Sequence, residues 1–505
     1  MDIWSNILLG FETALDPTNL IYCFFGVLLG TFFGVLPGIG SLAAVSMLLP
    51  LSYYLDPTTA LVMLAGVYYG AEYGGSTASI LLNLPGTPSN AVTCIDGYPM
   101  TQQGRAGVAL FSTTIASFLG GTIGILALYA FAPLIVQWAL AFGAGEYFAI
   151  LLLGLVAAAT VTQDAPAKGL AMVVLGVLLG SIGPDIQSGV PRFTLGYMEL
   201  WDGISMIALA MGLFGVSEIM LSITGASRRG FIQKVTLRSM IPTRDETLRS
   251  GMPIARGAGI GLFFGALPGT GPSIATFIGY AVEKRLAKDP SRFGKGAIEG
   301  ITSPESANNA AVQAAFIPTL TLGIPGSATM AVMMGALLIH GITPGPQLMN
   351  NEPEIFWGFA ASFWIGNVLL LILNIPLIGL WVRLLKVPYG ILYPAVLCFI
   401  CIGVYTIRTS VFDVSLVLLF GLMGYVLRLL RFELAPILIG FILGPMVEEN
   451  FKRAMVLAEG DFLRIIQQPI TGTLLGLTLL LLLWTVWQAF RAKARASALV
   501  RNPPG

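Results

Sequence analysis

The chain has 505 residues, 55% of them hydrophobic and only 10% charged, with a formal net charge of +1. Soluble domains carry about 25% charged residues, so this composition excludes a soluble enzyme or binding module and indicates an all-α polytopic membrane protein. Near-neutrality offers no electrostatic footprint for nucleic acid, and a single histidine argues against a histidine-built metal site or a Ser-His triad.

Residues 1–16 contain no Lys or Arg, unlike the basic start of a signal peptide, and read as a short interfacial amphipathic helix. Apolar runs follow at 20–36, 107–140, 146–162, 167–182, 356–380 and 470–490. With the runs between them they predict about twelve crossings of about 20 residues each. Sixty Gly and thirty Pro suit close helix contacts and helix breaks shielded by other protein. Cys23, Cys94, Cys398 and Cys401 sit in apolar contexts and read as packing residues.

The first break lies in GTFFGVLPGIGS (30–41), at Pro37, Gly38, Gly40 and Ser41. It returns in GLFFGALPGTGP (261–272), at Pro268, Gly269 and Gly271, with Ser273 next. The offset is 231 residues, from Pro37 to Pro268. A second break, LNLPGTPSNA (82–91), carries Asn83, Pro85, Gly86, Thr87, Ser89 and Asn90. It returns 240 residues later as LGIPGSATMA (322–331), with Pro325, Gly326, Ser327 and Thr329. LFGVSE (213–218) resembles ILGPMVEE (442–449), with Gly215 and Gly444 229 apart. Three matches in one order divide the chain into repeats at 17–224 and 257–450. A basic linker spans 225–256, and an extra hydrophobic segment with a basic tail spans 451–505.

Lys and Arg near span ends mark the cytoplasmic side, which places the linker and the tail there. The loop 51–59 has no basic residue, while its counterpart 283–296 has five. Loop 141–146 has none and 383–388 has two. Conversely, 96–107 holds Arg105 while 341–354 has only acidic charges. Equivalent loops take opposite signatures, so the reading is two inverted repeats with broken or re-entrant helices.

Paired Gly/Pro interruptions in two halves are the best sequence pointer to a transporter's binding site. Glycines let amides point one way with no Cβ in front, and such amide clusters and helix N-termini attract anions. The four breaks are therefore the expected substrate site. Beside them lie Glu72, Ser76, Thr77 and Asn83 in the first half, and Glu305, Asn308, Asn309 and Thr321 in the second. Carboxylates at membrane depth are expensive and functional by default, and these oxygen donors suit a coupling cation. Glu72 and Glu305 align at an offset of 233, which suggests two related cation sites flanking one anion. Sodium is the expected ion, with protons carried on Glu72 or Glu305 as the alternative. No cofactor motif is present. A carboxylate or anion channel built on the same amides is the runner-up, and a lipid-active membrane enzyme lacks a catalytic constellation.

FFGVLPGIG, YYGAEYGGSTASILLNLPGTP, DGYPMTQQGRAG, FFGALPGTGP, SPESANNAA and TLGIPGSATMAVMMGALLIHGITPGP resemble the large membrane subunit of the tripartite tricarboxylate transporter family. The resemblance covers nearly the whole chain. It implies cation-coupled uptake of di- or tricarboxylates across the bacterial inner membrane. It also implies two partners, a small membrane subunit and a periplasmic solute-binding protein. Position by position, the family's glycine-rich motifs fall on 37–40, 268–271, 85–87 and 325–327, and its acidic-asparagine motif on 304–309.

Overall fold

The computed structural model describes residues 3–36, 38–160, 166–185, 188–224, 235–268, 271–384 and 389–501. Among them, strand is confined to one short hairpin, Gly183–Pro184 paired with Pro191–Arg192. The fold is all-α, as the composition requires. Five helices are long and apolar enough to cross a bilayer: Pro17–Val35, Ala106–Ala139, Pro353–Asn374, Val411–Leu429 and Pro469–Trp487. The runs 146–162 and 167–182 form the shorter helices Ala144–Thr160 and Pro166–Gly180. The N-terminal helix Ile3–Ala14 seats Gly10 on the carbonyl of Trp357 and leaves Trp4 and Leu8 exposed.

Glycine spacing sets the packing around the breaks. Gly26, Gly30 and Gly34 lie on one face of Pro17–Val35, at intervals of four. A Cβ on them would strike the carbonyls of Met63, Val67 and Ala71 in the Pro57–Leu82 helix. Gly257, Gly261 and Gly265 meet the carbonyls of Ser303, Ala307 and Ala311 in the same way. Small residues let two backbones approach within van der Waals contact where lipid offers no hydrophobic drive. The glycines are 231 apart and their partners 240 apart, the two offsets of the breaks.

The helices sort into two bodies, each built from both halves. The first holds Pro17–Val35 through Ala106–Ala139 and Arg244–Gly265 through Pro353–Asn374. The second holds Ala144–Thr160, Pro166–Gly180, residues 206–224, Tyr389–Arg408, Val411–Leu429, Ala435–Leu457 and the C-terminal helix Pro469–Arg501. Within each body the halves exchange partners. Ala106–Ala139 packs its Gly120 on the Ser306 carbonyl, while Pro353–Asn374 packs its Gly366 on the Tyr69 ring. In the second body Gly176 meets the Ile437 carbonyl, and Gly212 and Gly421 bring Val411–Leu429 onto 211–216.

The second half starts earlier than its sequence boundary at 257. Its first helix, Arg244–Gly265, begins inside the stretch read as linker. Thr243 and Glu246 form a reciprocal capping box there, which satisfies two of the orphan amides at a helix start. Glu246 also pairs with Arg105 of the first half. Arg228, Arg229 and Lys234 lie outside the described residues.

Candidate functional site

Each half presents a helix that dead-ends at its second break. Pro57–Leu82 ends at Asn83, in the left-handed region at φ 57°. Glu299–Ala314 continues as Phe316–Leu322 and ends at Gly323, φ 70°. The first breaks turn through Gly38 (φ 91°), Gly40 (φ 70°) and Gly271 (φ 62°), conformations glycine adopts without strain. New helices start at Gly40 and Gly271. Pro37 and Gly269 lie outside the described residues, and Pro268 sits in the turn just before them.

Glu72 and Glu305 are both buried, at 3% and 1% exposure. Glu72 lies where the two breaks of its own half meet. Its Oε1 accepts from the Ser41 hydroxyl at 2.6 Å. Its Oε2 accepts from the hydroxyl of Ser89 and, at 3.1 Å, from the Asn308 amide of the other half. The Thr87 hydroxyl has one proton for three acceptors: Glu72 Oε2 at 3.0 Å, Asn90 Oδ1 at 2.6 Å and Ser89 Oγ at 2.7 Å. Glu305 is held by first-half donors: Ser76 at 2.7 Å, Asn90 Nδ2 at 3.1 Å, Ser117 at 3.3 Å, and Thr93. Asn90 thus links the two carboxylates into one network.

The two acids are not repeat equivalents. The offset of 240 that relates the helix ends and the glycine partners pairs Glu72 with Val312, and Glu305 with Ala65. Glu72 stands 11 residues before Asn83, whereas Glu305 stands 18 before Gly323. Seven residues of helix are about 10 Å. Both carboxylates therefore gather at the first half's second break, between Pro57–Leu82 and Ala91–Gln102, and the arrangement is one asymmetric acidic centre in place of two related ones.

The centres also differ in what they leave open. Glu305 is enclosed by its donors. Beside Glu72, the Oδ1 of Asn308 is buried without a hydrogen-bond partner among the described residues. The Tyr68 hydroxyl, one helical turn before Glu72, is likewise buried without a hydrogen-bond partner among the described residues. Buried polar atoms are almost always satisfied, so two orphans beside one carboxylate mark a place for a bound polar species.

Several expected residues stand elsewhere. Asn83 and Pro85 are exposed at the helix end. Thr77 is buried on the Glu72 helix but touches neither carboxylate. Asn309 and Thr321 turn onto carbonyls of their own helices, at Glu305 and Ile317. Ser327 caps Ala328–Ile339 through Met330, Thr329 is buried in its first turn, and Ser273 is half-buried.

Gly86 and Gly326 serve packing. A Cβ on Gly86 would strike the Gly34 carbonyl and Gly75, and one on Gly326 would lie 3.1 Å from the Gly265 carbonyl and Ala315. The Gly326 amide already donates to Thr319, at 3.4 Å. The missing side chains let each break clasp closely onto its helix pair. Gly86→Val is therefore expected to lower the yield of folded protein several-fold, by about 1–3 kcal/mol of overpacking, read by fluorescence-detected size exclusion. Normal folded yield together with lost uptake would restore the substrate-contact role.

Four contributors carry no sequence signal as site residues: Tyr68, Thr93, Ser117 and Asp96. Asp96, in the DGYPM stretch, is fully buried. It accepts three amides, of Gly294, Gly296 and Ala297, at 2.8–2.9 Å, and the Tyr280 hydroxyl at 3.0 Å. It ties the helix Ala91–Gln102 to the loop that starts the Glu305 helix.

A 52.8 kDa uncharacterized protein from the TAR-I ttuC' 3' region of Agrobacterium vitis is 48% identical over 493 residues, 98% of each chain. An uncharacterized protein from the TAR-II ttuC' 3' region of the same organism is 50% identical over 233 residues, covering 46% of this chain and 96% of its own. No solved structure matches. The model of the tripartite tricarboxylate transporter TctA family matches residues 20–439, and with motifs, fold and buried centre in agreement, the chain belongs to that family.

Proposed function

We propose that this chain is the transporting subunit of a secondary active uptake system for di- or tricarboxylates, with a cation bound at Glu72 and Asn308. The observation that carries the reading is the orphaned Asn308 Oδ1 beside the buried Glu72 carboxylate. An amide oxygen, a carboxylate and hydroxyls from Ser41, Thr87 and Ser89 form an oxygen set suited to sodium, and the break's carbonyls can complete it. A di- or trianion entering against an inside-negative potential is opposed by about 2.3 kcal/mol per charge per 100 mV, which co-transported cations offset. The helix starts at Gly40, Gly271 and Ala328 supply positive dipole ends for the anion.

Opposed loop charges support inverted halves, with 51–59 outside and 284–295 in the cytoplasm. The bacterial inner membrane, a periplasmic solute-binding protein and a small membrane subunit are part of the same reading, and family membership supports them. The test is uptake into vesicles containing all three subunits, across a panel of carboxylates, with sodium and pH varied separately. Asn308→Ala is expected to raise the sodium concentration for half-maximal uptake about tenfold or more, the value of about 1.5–3 kcal/mol for a polar contact to a charge. An unchanged sodium dependence in this variant would remove Asn308 from the cation site.

A further inference from the structure

The contacts between the two bodies are lopsided with respect to the repeat. The first body leans on the second chiefly through the helices Gly40–Ser52 and Ala328–Ile339. Pro50 faces Gly403, where a Cβ would lie 3.2 Å from the proline ring. Met47 reaches the pocket left by Gly215, Tyr54 donates to the Thr406 carbonyl at 2.6 Å, and Met206 fills the space over Gly335. The repeat counterparts of these two helices are Gly271–Leu286 and Ala91–Gln102. Those pack on one another and on the Glu305 helix and, among the described residues, make no comparable contact with the second body. Phe277 and Ile95 are left 49% and 40% exposed on them.

We propose that Ala91–Gln102 and Gly271–Leu286 carry a second docking surface for the second body of the same chain, used in an alternative state. One member of each repeat pair is docked here, and the other member docks in that state while Gly40–Ser52 and Ala328–Ile339 let go. A repeat supplies two contacts of similar chemistry, and two packings of similar energy are what a bistable interface requires. The offsets name the new contact. Gly335 sits 240 residues after Ile95, and Met206 sits 229 before Ala435, so the Gly335–Met206 contact becomes Ile95 against Ala435. Large and small residues swap sides, and complementarity is kept: Met over Gly in one state, Ile over Ala in the other.

Sidedness follows from the inverted reading, on which this inference rests. The docked helices lead to 51–59 and 341–354, the loops placed outside, and the free ones to the basic turns 103–105 and 284–295. The present state is closed outside and opens to the cytoplasm. Exchange of the docked pairs carries the Glu72 centre between the two sides.

The test uses two cysteine pairs in a chain freed of its four native cysteines. Pro50→Cys with Gly403→Cys places the Cβ atoms 3.2 Å apart, a few tenths of an ångström inside the disulfide range of about 3.5–4.5 Å. Ile95→Cys with Ala435→Cys probes the alternative state. Both pairs are expected to close on oxidation in membranes under a sodium and citrate gradient. A chain carrying all four cysteines should form either disulfide but not both in one molecule. Closing the first pair should cut uptake at least about tenfold, reversibly with reductant, because alternation is obligatory. Uptake at the full rate with the first pair closed, or failure of the second pair to close, would overturn the proposal. Cross-linking is read on gels without reference to uptake. Alternating cross-links in a chain that takes up no carboxylate would leave the docking proposal standing and sink the transport reading.

Discussion

Glu72→Gln is expected to abolish carboxylate uptake while leaving the protein folded in the membrane. The substitution keeps the shape and one of the two acceptor oxygens, that for Thr87 and Ser89 or that for Ser41, but removes the charge beside the open Asn308 oxygen. Losing one member of a buried charge pair costs about 3–5 kcal/mol, roughly a hundredfold to several thousandfold in cation affinity. Uptake should fall to background at sodium concentrations that saturate the wild type, with unchanged size-exclusion behaviour. Retention of more than about a tenth of wild-type uptake, a deficit of under 1.4 kcal/mol, would mean the cation sits elsewhere.

Glu305→Ala is expected to act on the fold. Ser76, Asn90, Thr93 and Ser117 converge on this carboxylate from four helical segments of the first half, and it is buried at 1% exposure. Each stranded buried donor costs about 1–3 kcal/mol. Against a stability of about 5–15 kcal/mol, that loss removes most of the folded population. Thermal unfolding of the solubilised protein should show the variant strongly destabilised or absent. Glu305→Gln, which keeps an acceptor, should be intermediate. A Glu305→Ala protein as stable as wild type but inactive would instead place Glu305 at the transported ion.

The breaks and the glycine faces were legible because Gly and Pro change the backbone itself, and their positions repeat in the primary sequence. Gly30 and Gly261 announce a close helix contact by spacing alone. What the sequence does not carry is the register of a side chain against its own break. Glu72 and Glu305 align by flanking residues, yet differ by two helical turns from the ends of their helices, so an apparent twofold pair is one cluster. Contacts between halves are equally silent. Thr93 and Glu305 are 212 residues apart, and a threonine in an apolar stretch reads as packing. Gly86 illustrates the converse. A glycine at a break invites a ligand on paper, but a Cβ on Gly86 would strike the Gly34 carbonyl, so close packing alone already requires the missing side chain.

Carboxylate entry driven by sodium bound beside Glu72 is the proposed coupling. It is tested most directly by uptake of labelled citrate and related di- and tricarboxylates into vesicles holding the complete transporter, with an imposed sodium gradient at equal pH on both sides. Accumulation in wild type should track the sodium gradient and disappear in Glu72→Gln. Accumulation driven equally well by a pH gradient without sodium, or surviving in Glu72→Gln, would contradict it.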